Sequence, residues 1–354
     1  MIDDLVSKRV KELKSYKVEP KMQGTALDKN ELPWGLDEKV EEALINSIKA
    51  MEFNRYPDSG CIGLKAAISR YTGMDPGSIC IGNGSDELIS VLLQTFINPG
   101  DAIAVYNPTF AMYKVYGTIC GARIWRYDLD NDFELNLDEF IQGLKAEKPK
   151  LVFLCNPNNP TGKMLALSDI EEILKNTAGI VVVDEAYFEF SGVTALGLLS
   201  AYDNLIILRT FSKAFGLAGL RIGYMLAGPA IISYVDRVRS PFNVNSFAQA
   251  AAAEVLKNLD KVMERIEAIK SERERLIILL KQLEGLQCFE SASNFILIRS
   301  KCSEKINKRL QETGIFVRRY SSPKLEDCLR VTIGSRLEND KFYETVKEAL
   351  YERD

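Results

Sequence analysis

Between residues 78 and 226, six short and nearly unbroken apolar runs alternate with stretches of helical periodicity. The runs are SICIG (78–82), DAIAVY (101–106), KLVFLC (150–155), GIVVVD (179–184), NLIILR (204–209) and LRIGYML (220–226). A strand that is apolar on both faces must be covered on both, so the pattern predicts a mostly parallel sheet between helices. The intervening helices include Asp86–Phe96, Pro108–Thr118 and Leu167–Asn176, the last opened by Ser168-Asp169. An α/β layer of this kind implies no particular chemistry.

Beyond Ser246 the texture changes. A long helical stretch covers Asn245–Leu283 with a break near Leu259. It is followed by a strand (NFILIRS), a helix (SEKINKRLQETG), two strands (IFVRRY and CLRVTIG) and a last helix after Glu338. That order predicts a separate, smaller α+β domain, with the N-terminal segment up to Trp34 packed beside it. Residues 35–56 read as a helix running into the loop Arg55-Tyr56-Pro57. The expected division is a large domain over 35–245 and a small one from 1–34 and 246–354. A chain of 354 residues is long enough for two cores.

The chain contains no histidine. Ser-His-Asp and Cys-His catalysis and histidine-ligated metals are therefore excluded, and proton transfer near neutral pH falls to lysine, tyrosine, carboxylates or a cofactor. Seven scattered cysteines without a CxxC suggest neither a disulfide framework nor a metal site. A net charge of −4 gives no reason to expect a nucleic-acid or membrane partner, and no apolar run reaches membrane-spanning length. With acids at positions 3 and 4, the N-terminus does not read as a signal peptide, so a cytoplasmic location is expected.

In open α/β sheets the binding crevice lies beyond the carboxyl ends of the strands. The residues there form a short polar set: Asn156 in NPNNPTG, Asp184 with Tyr187 three residues on, Ser212-Lys213, and Gly82-Asn83-Gly84-Ser85-Asp86 opening a helix. Singly, each has an ordinary reading: a solvated lysine, a turn asparagine, a helix cap, or for Arg221 a surface ion pair. Together they supply what a phosphorylated pyridine aldehyde requires. These are an amine to bond the aldehyde, a carboxylate for the ring nitrogen, donors for the ring oxygen and a helix-end phosphate site. Flanking Phe211, Ala214 and Phe215 would desolvate Lys213 and lower its pKa.

These motifs, with SKAFGLAGLRIGY around Lys213 and LRVTIG around Arg330, resemble the fold-type I aminotransferases. KNELPWG (29–35), RYPDSG (55–60), GNGSDELI (82–89) and YNPTFAMY (106–113) bring the chain closest to the histidinol-phosphate aminotransferase family. The resemblance implies a pyridoxal 5'-phosphate (PLP) transferase-like large domain and a smaller α+β domain. It also implies a homodimer with shared active sites and transfer from L-histidinol phosphate to 2-oxoglutarate. Lys213 would be the covalent lysine and proton shuttle, Asp184 the partner of the ring nitrogen, and Asn156 and Tyr187 the partners of the ring hydroxyl. Gly84, Ser85, Asp86, Ser212 and Arg221 would surround the phosphate, with Tyr56 reaching it from the other subunit. Phe110 holds the position of the ring-stacking aromatic, commonly tyrosine in the family. Arg330 and Arg318 would bind substrate anions, with Asn30 nearby, while the neighbouring Arg319 would face solvent. The close alternatives are an aromatic or broad-range aminotransferase and a lyase similar to threonine-phosphate decarboxylase.

Overall fold

The computed structural model describes residues 2–11, 13 and 24–351. Part of the N-terminal segment expected beside the smaller domain, residues 12 and 14–23, lies outside the described residues, as do Met1 and 352–354.

A seven-stranded sheet forms the larger layer. In spatial order its strands are Ile79–Gly82, Gly223–Ala227, Leu205–Thr210, Ile180–Asp184, Leu151–Cys155, Ala102–Asn107 and Arg123–Asp128. Gly223–Ala227 runs antiparallel to both neighbours, and every other pairing is parallel. The apolar runs are continuous because side chains alternate between two covered faces. Cys80, Val105, Phe153, Val182, Leu208 and Met225 enter one core with the Ser85–Phe96 helix. Ile81, Ala104, Val152, Val183, Ile207 and Tyr224 enter the other. Each aliphatic side chain so buried stabilises the fold by about 1.5–3 kcal/mol.

Arg123–Asp128 was not among the expected strands. It pairs only with Ala102–Asn107, at the sheet edge, and is half-exposed. Charges at 123, 126 and 128 are tolerable on an edge and break up the apolar signal. The helix expected over Pro108–Thr118 begins instead at Met112 and ends at Cys120. Asn158 is the cause: it accepts from Thr109 Oγ1 at 2.8 Å and donates to the Pro108 carbonyl at 3.0 Å, holding that stretch as a loop. The Leu167–Asn176 helix lies where expected. The long helical stretch divides at Asn258 into Ser246–Lys257 and Leu259–Leu280, and Asn258 Nδ2 caps the Glu254 carbonyl.

The second sheet orders Thr25–Leu27, Ile315–Arg319, Cys328–Thr332, Phe295–Arg299 and Gln287–Cys288. Thr25–Leu27 is parallel to Ile315–Arg319, and the remaining pairs are antiparallel. Leu259–Leu280 and Ser303–Glu312 pack against this layer, and Arg336–Tyr351 packs on both of these helices. The Ser246–Lys257 helix packs on Glu38–Ala50 and Ile62–Thr72. No helix among the described residues is long and apolar enough to cross a membrane.

Candidate active site

The parallel strands deliver Asn107, Cys155, Asp184 and Thr210 to one end of the large sheet, where a cavity of about 760 Å³ opens toward the smaller sheet. Asp184 is the last residue of its strand and is 3% exposed. Its Oδ2 accepts from the Tyr113 hydroxyl at 2.6 Å and its Oδ1 from the Ala186 backbone N–H at 3.2 Å. Burial pushes its pKa up to about 6, while those two hydrogen bonds oppose the rise.

Lys213 follows the Leu205–Thr210 strand through a turn in which Ser212 N–H donates to Thr210 Oγ1 at 3.0 Å. Its Nζ donates to the Lys29 carbonyl at 2.8 Å and lies 6.0 Å from the centre of the Tyr187 ring. Burial, reinforced by the Arg330 charge, pulls its pKa down to about 8. The Tyr187 hydroxyl accepts from Asn30 Nδ2 at 3.0 Å and Asn159 Nδ2 at 3.3 Å. Asn30 is itself fixed in the left-handed region (φ 57°), with its N–H donating to Thr332 Oγ1 at 2.9 Å.

At the other end of the cavity, Gly84 (φ 81°) leads into the Ser85–Phe96 helix. A Cβ on Gly84 would stand 2.7 Å from Arg221 Nη2, so glycine leaves room there for that guanidinium. Arg221 (φ 53°) pairs with Asp86 at 3.1 Å and donates to Ser212 Oγ at 3.4 Å. The first N–H groups of this helix and the guanidinium thus meet at one point, which suits a phosphate.

The smaller sheet contributes Arg318 and Arg330, which are Cα partners across an antiparallel pair and both line the cavity. Arg330 donates to Asn159 Oδ1 and the Asp28 carbonyl, both at 2.6 Å, and its buried Nε has no partner among the described residues. Phe295 lies under its guanidinium at 5.3 Å. Arg319 reaches outward to Glu304 at 3.6 Å, although it too borders the cavity mouth.

The candidates thus converge, with two exceptions. Asn156 does not face the cavity: its side chain donates to the Leu165 carbonyl at 3.3 Å and accepts from the Leu165 N–H at 2.8 Å. The asparagine presented to Tyr187 is Asn159, three residues later in the same motif. Tyr56 is 81% exposed and stacks on Phe242 at 4.5 Å, away from its own chain's cavity. Phe110 is half-buried at the cavity wall, edge-on to Tyr113 at 5.6 Å. Besides Asn159, the sequence reading missed Tyr113. No local spacing marks it, because its partner Asp184 lies 71 residues further along the chain.

Fold and site together define an aminotransferase: residues 23–346 match the family described as Aminotransferase class I and II, and the chain belongs to that family. It is 43% identical over 351 residues to the histidinol-phosphate aminotransferase of Thermoanaerobacter pseudethanolicus, covering 99% of this chain and 100% of the relative. The protein of the same name from Caldanaerobacter subterraneus is 41% identical, with the same coverage. Among solved structures, histidinol-phosphate aminotransferase from Sinorhizobium meliloti in complex with pyridoxal-5'-phosphate superposes with a TM-score of 0.89 at 26% identity, over 98% of this chain and 97% of that one.

Proposed function

We propose that this chain is a PLP-dependent transaminase that moves the amino group of L-histidinol phosphate to 2-oxoglutarate, giving imidazole acetol phosphate and glutamate. The observation that carries the substrate assignment is the cross-strand pair Arg318 and Arg330, two guanidinium groups in the cavity that also holds Lys213. Curated relatives named for this activity, at 37–44% identity over nearly the whole chain, support the same reading.

The residues fit the cofactor. Asp184 is a buried carboxylate further disfavoured by the charges of Asp86 and Glu185, so a cation facing it would be favoured. Gly84, Ser85, Ser212 and Arg221 offer donors to a phosphate, with Asp86 holding Arg221 in place. Asn159 and Tyr187 offer donors to a ring oxygen, and Phe110 a π-face. When bound, the cofactor supplies an aldehyde that takes the amino group and a protonated ring that withdraws electron density from the substrate carbon.

Around it the chain's own groups divide the work. Lys213 Nζ, with its pKa near 8, is a usable base for the proton that the substrate carbon loses. Arg330 grips an anion at the cavity's inner end, positioned by Asn159 and the Asp28 carbonyl. Arg318 adds the second cation that a phosphate dianion needs. Asn30 and Asn159 orient the Tyr187 hydroxyl.

The enzyme works in the cytoplasm as a homodimer in which Tyr56 enters the partner's site. Its exposure, and its place outside the lining of its own chain's cavity, support that reading. Residues 35–245 form the cofactor domain, with 1–34 and 246–354 the smaller one. The test is an activity panel of histidinol phosphate, phenylalanine, tyrosine and threonine phosphate, each with and without 2-oxoglutarate. Preference for histidinol phosphate, dependent on 2-oxoglutarate, is expected. Carbon dioxide release from threonine phosphate without 2-oxoglutarate would replace this reading with a lyase.

A further inference from the structure

Tyr113 is fully buried, and its ring is fixed from two sides, stacked on Phe153 at 4.8 Å and met edge-on by Phe110 at 5.6 Å. Its hydroxyl donates to Asp184 Oδ2 at 2.6 Å, the length of a hydrogen bond to an ionised oxygen. We propose that Tyr113 is a positioning residue for transamination: its hydroxyl holds Asp184 as the oriented anion that keeps the cofactor's ring nitrogen protonated. The inference rests on the PLP reading above and extends it to a residue outside the expected cofactor set.

A carboxylate buried this deeply tends to take up a proton, because desolvation penalises the charged form. The nearby carboxylates of Asp86 and Glu185 push in the same direction. Among the described residues, the Ala186 N–H and the Tyr113 hydroxyl donate to Asp184, and of these the hydroxyl is the side chain. The chain has no histidine that could donate in its place. Burial holds the Tyr113 pKa well above the ordinary 10, so the phenol stays a neutral donor across the working pH range. Without that donor, a proton shared between Asp184 and a pyridine nitrogen would move toward the carboxyl group, and the ring would lose its positive charge.

Tyr113→Phe removes the hydroxyl and keeps the ring contacts, so a purely packing role predicts no change at the cofactor. The experiment loads wild type, Tyr113→Phe and Asp184→Asn with ¹⁵N-labelled PLP, follows the ring-nitrogen chemical shift with pH, and measures cofactor dissociation for each. In Tyr113→Phe the ring-nitrogen shift should lie nearer the neutral-pyridine value than in wild type at the same pH, because the proton sits further toward the carboxyl group. The cofactor should dissociate roughly tenfold more readily, as for loss of one hydrogen bond to a charged group. Asp184→Asn should show a neutral nitrogen throughout. A wild-type shift and affinity in Tyr113→Phe, beside a neutral nitrogen in Asp184→Asn, would overturn the role of Tyr113 alone. Wild-type behaviour in both variants would overturn the assignment of Asp184 along with it.

Discussion

Arg318 and Arg330 face each other as Cα partners on adjacent antiparallel strands, so their side chains emerge on the same face and enter one cavity. Two like charges so close are costly unless anions share them. A phosphate dianion can use both, whereas the single carboxylate at one end of glutamate needs only one. Arg330→Ala should therefore impair both half-reactions, by roughly ten- to a hundredfold in binding for each charge-assisted bond lost. Arg318→Ala should slow histidinol phosphate more than glutamate in single-turnover spectroscopy. Equal slowing of the two would refute the division of labour.

Asp184→Asn should fold normally and lose most of its turnover, because an amide cannot serve as the counter-charge of a ring nitrogen. Burial lifts the carboxyl pKa of Asp184 from 3.8 to about 6. Cofactor affinity of the wild type should accordingly fall as pH drops through about 6, where the free protein takes up that proton. Binding titrations across this range check the point, and an unchanged affinity in Asp184→Asn would contradict it.

Glu189 has both carboxyl oxygens buried without partners among the described residues, and burial lifts its pKa from 4.5 to about 8. The folded state thus keeps a proton that the unfolded chain releases. Stability should be full below pH 4.5 and decline as pH rises toward about 8. Glu189→Gln removes this slope. Arg209 keeps its Glu185 partner at 2.9 Å, so the substitution strands no charge. Melting temperatures of the two proteins should diverge across that window in favour of the glutamine variant, and a constant difference would exclude the assignment.

The shared-site proposal predicts complementation. Lys213→Ala and a Tyr56 variant, each inactive alone, should recover part of the activity when mixed and allowed to exchange subunits. A sedimentation profile of monomers, or no recovery among confirmed hybrid dimers, would count against it.

What could be read in advance follows from how local each signal is. Leu151–Cys155 and Ile180–Asp184 were legible because a strand covered on both faces is apolar at every position. Arg123–Asp128 was not, since an edge strand keeps its charges. Asp184 and Lys213 were expected just past strand ends and Arg221 from its motif, and all three line the cavity. The choice between Asn156 and Asn159 was not, because both sit in one Asn/Pro-rich loop and the hydrogen bonds of Asn156 to Leu165 form only in three dimensions. Tyr113 was hidden for a similar reason: its partner lies 71 residues away.

Lys213 is proposed as the amine that holds the cofactor. The direct measurement is borohydride reduction of the PLP-loaded protein, followed by proteolysis and mass spectrometry. The Lys213 Nζ, with a pKa near 8, is expected to carry the reduced label in one peptide spanning Ser212 and Lys213. Visible absorbance should be present before reduction and lost after it. A label on any other lysine, or a purified protein that takes up no PLP, would rule Lys213 out.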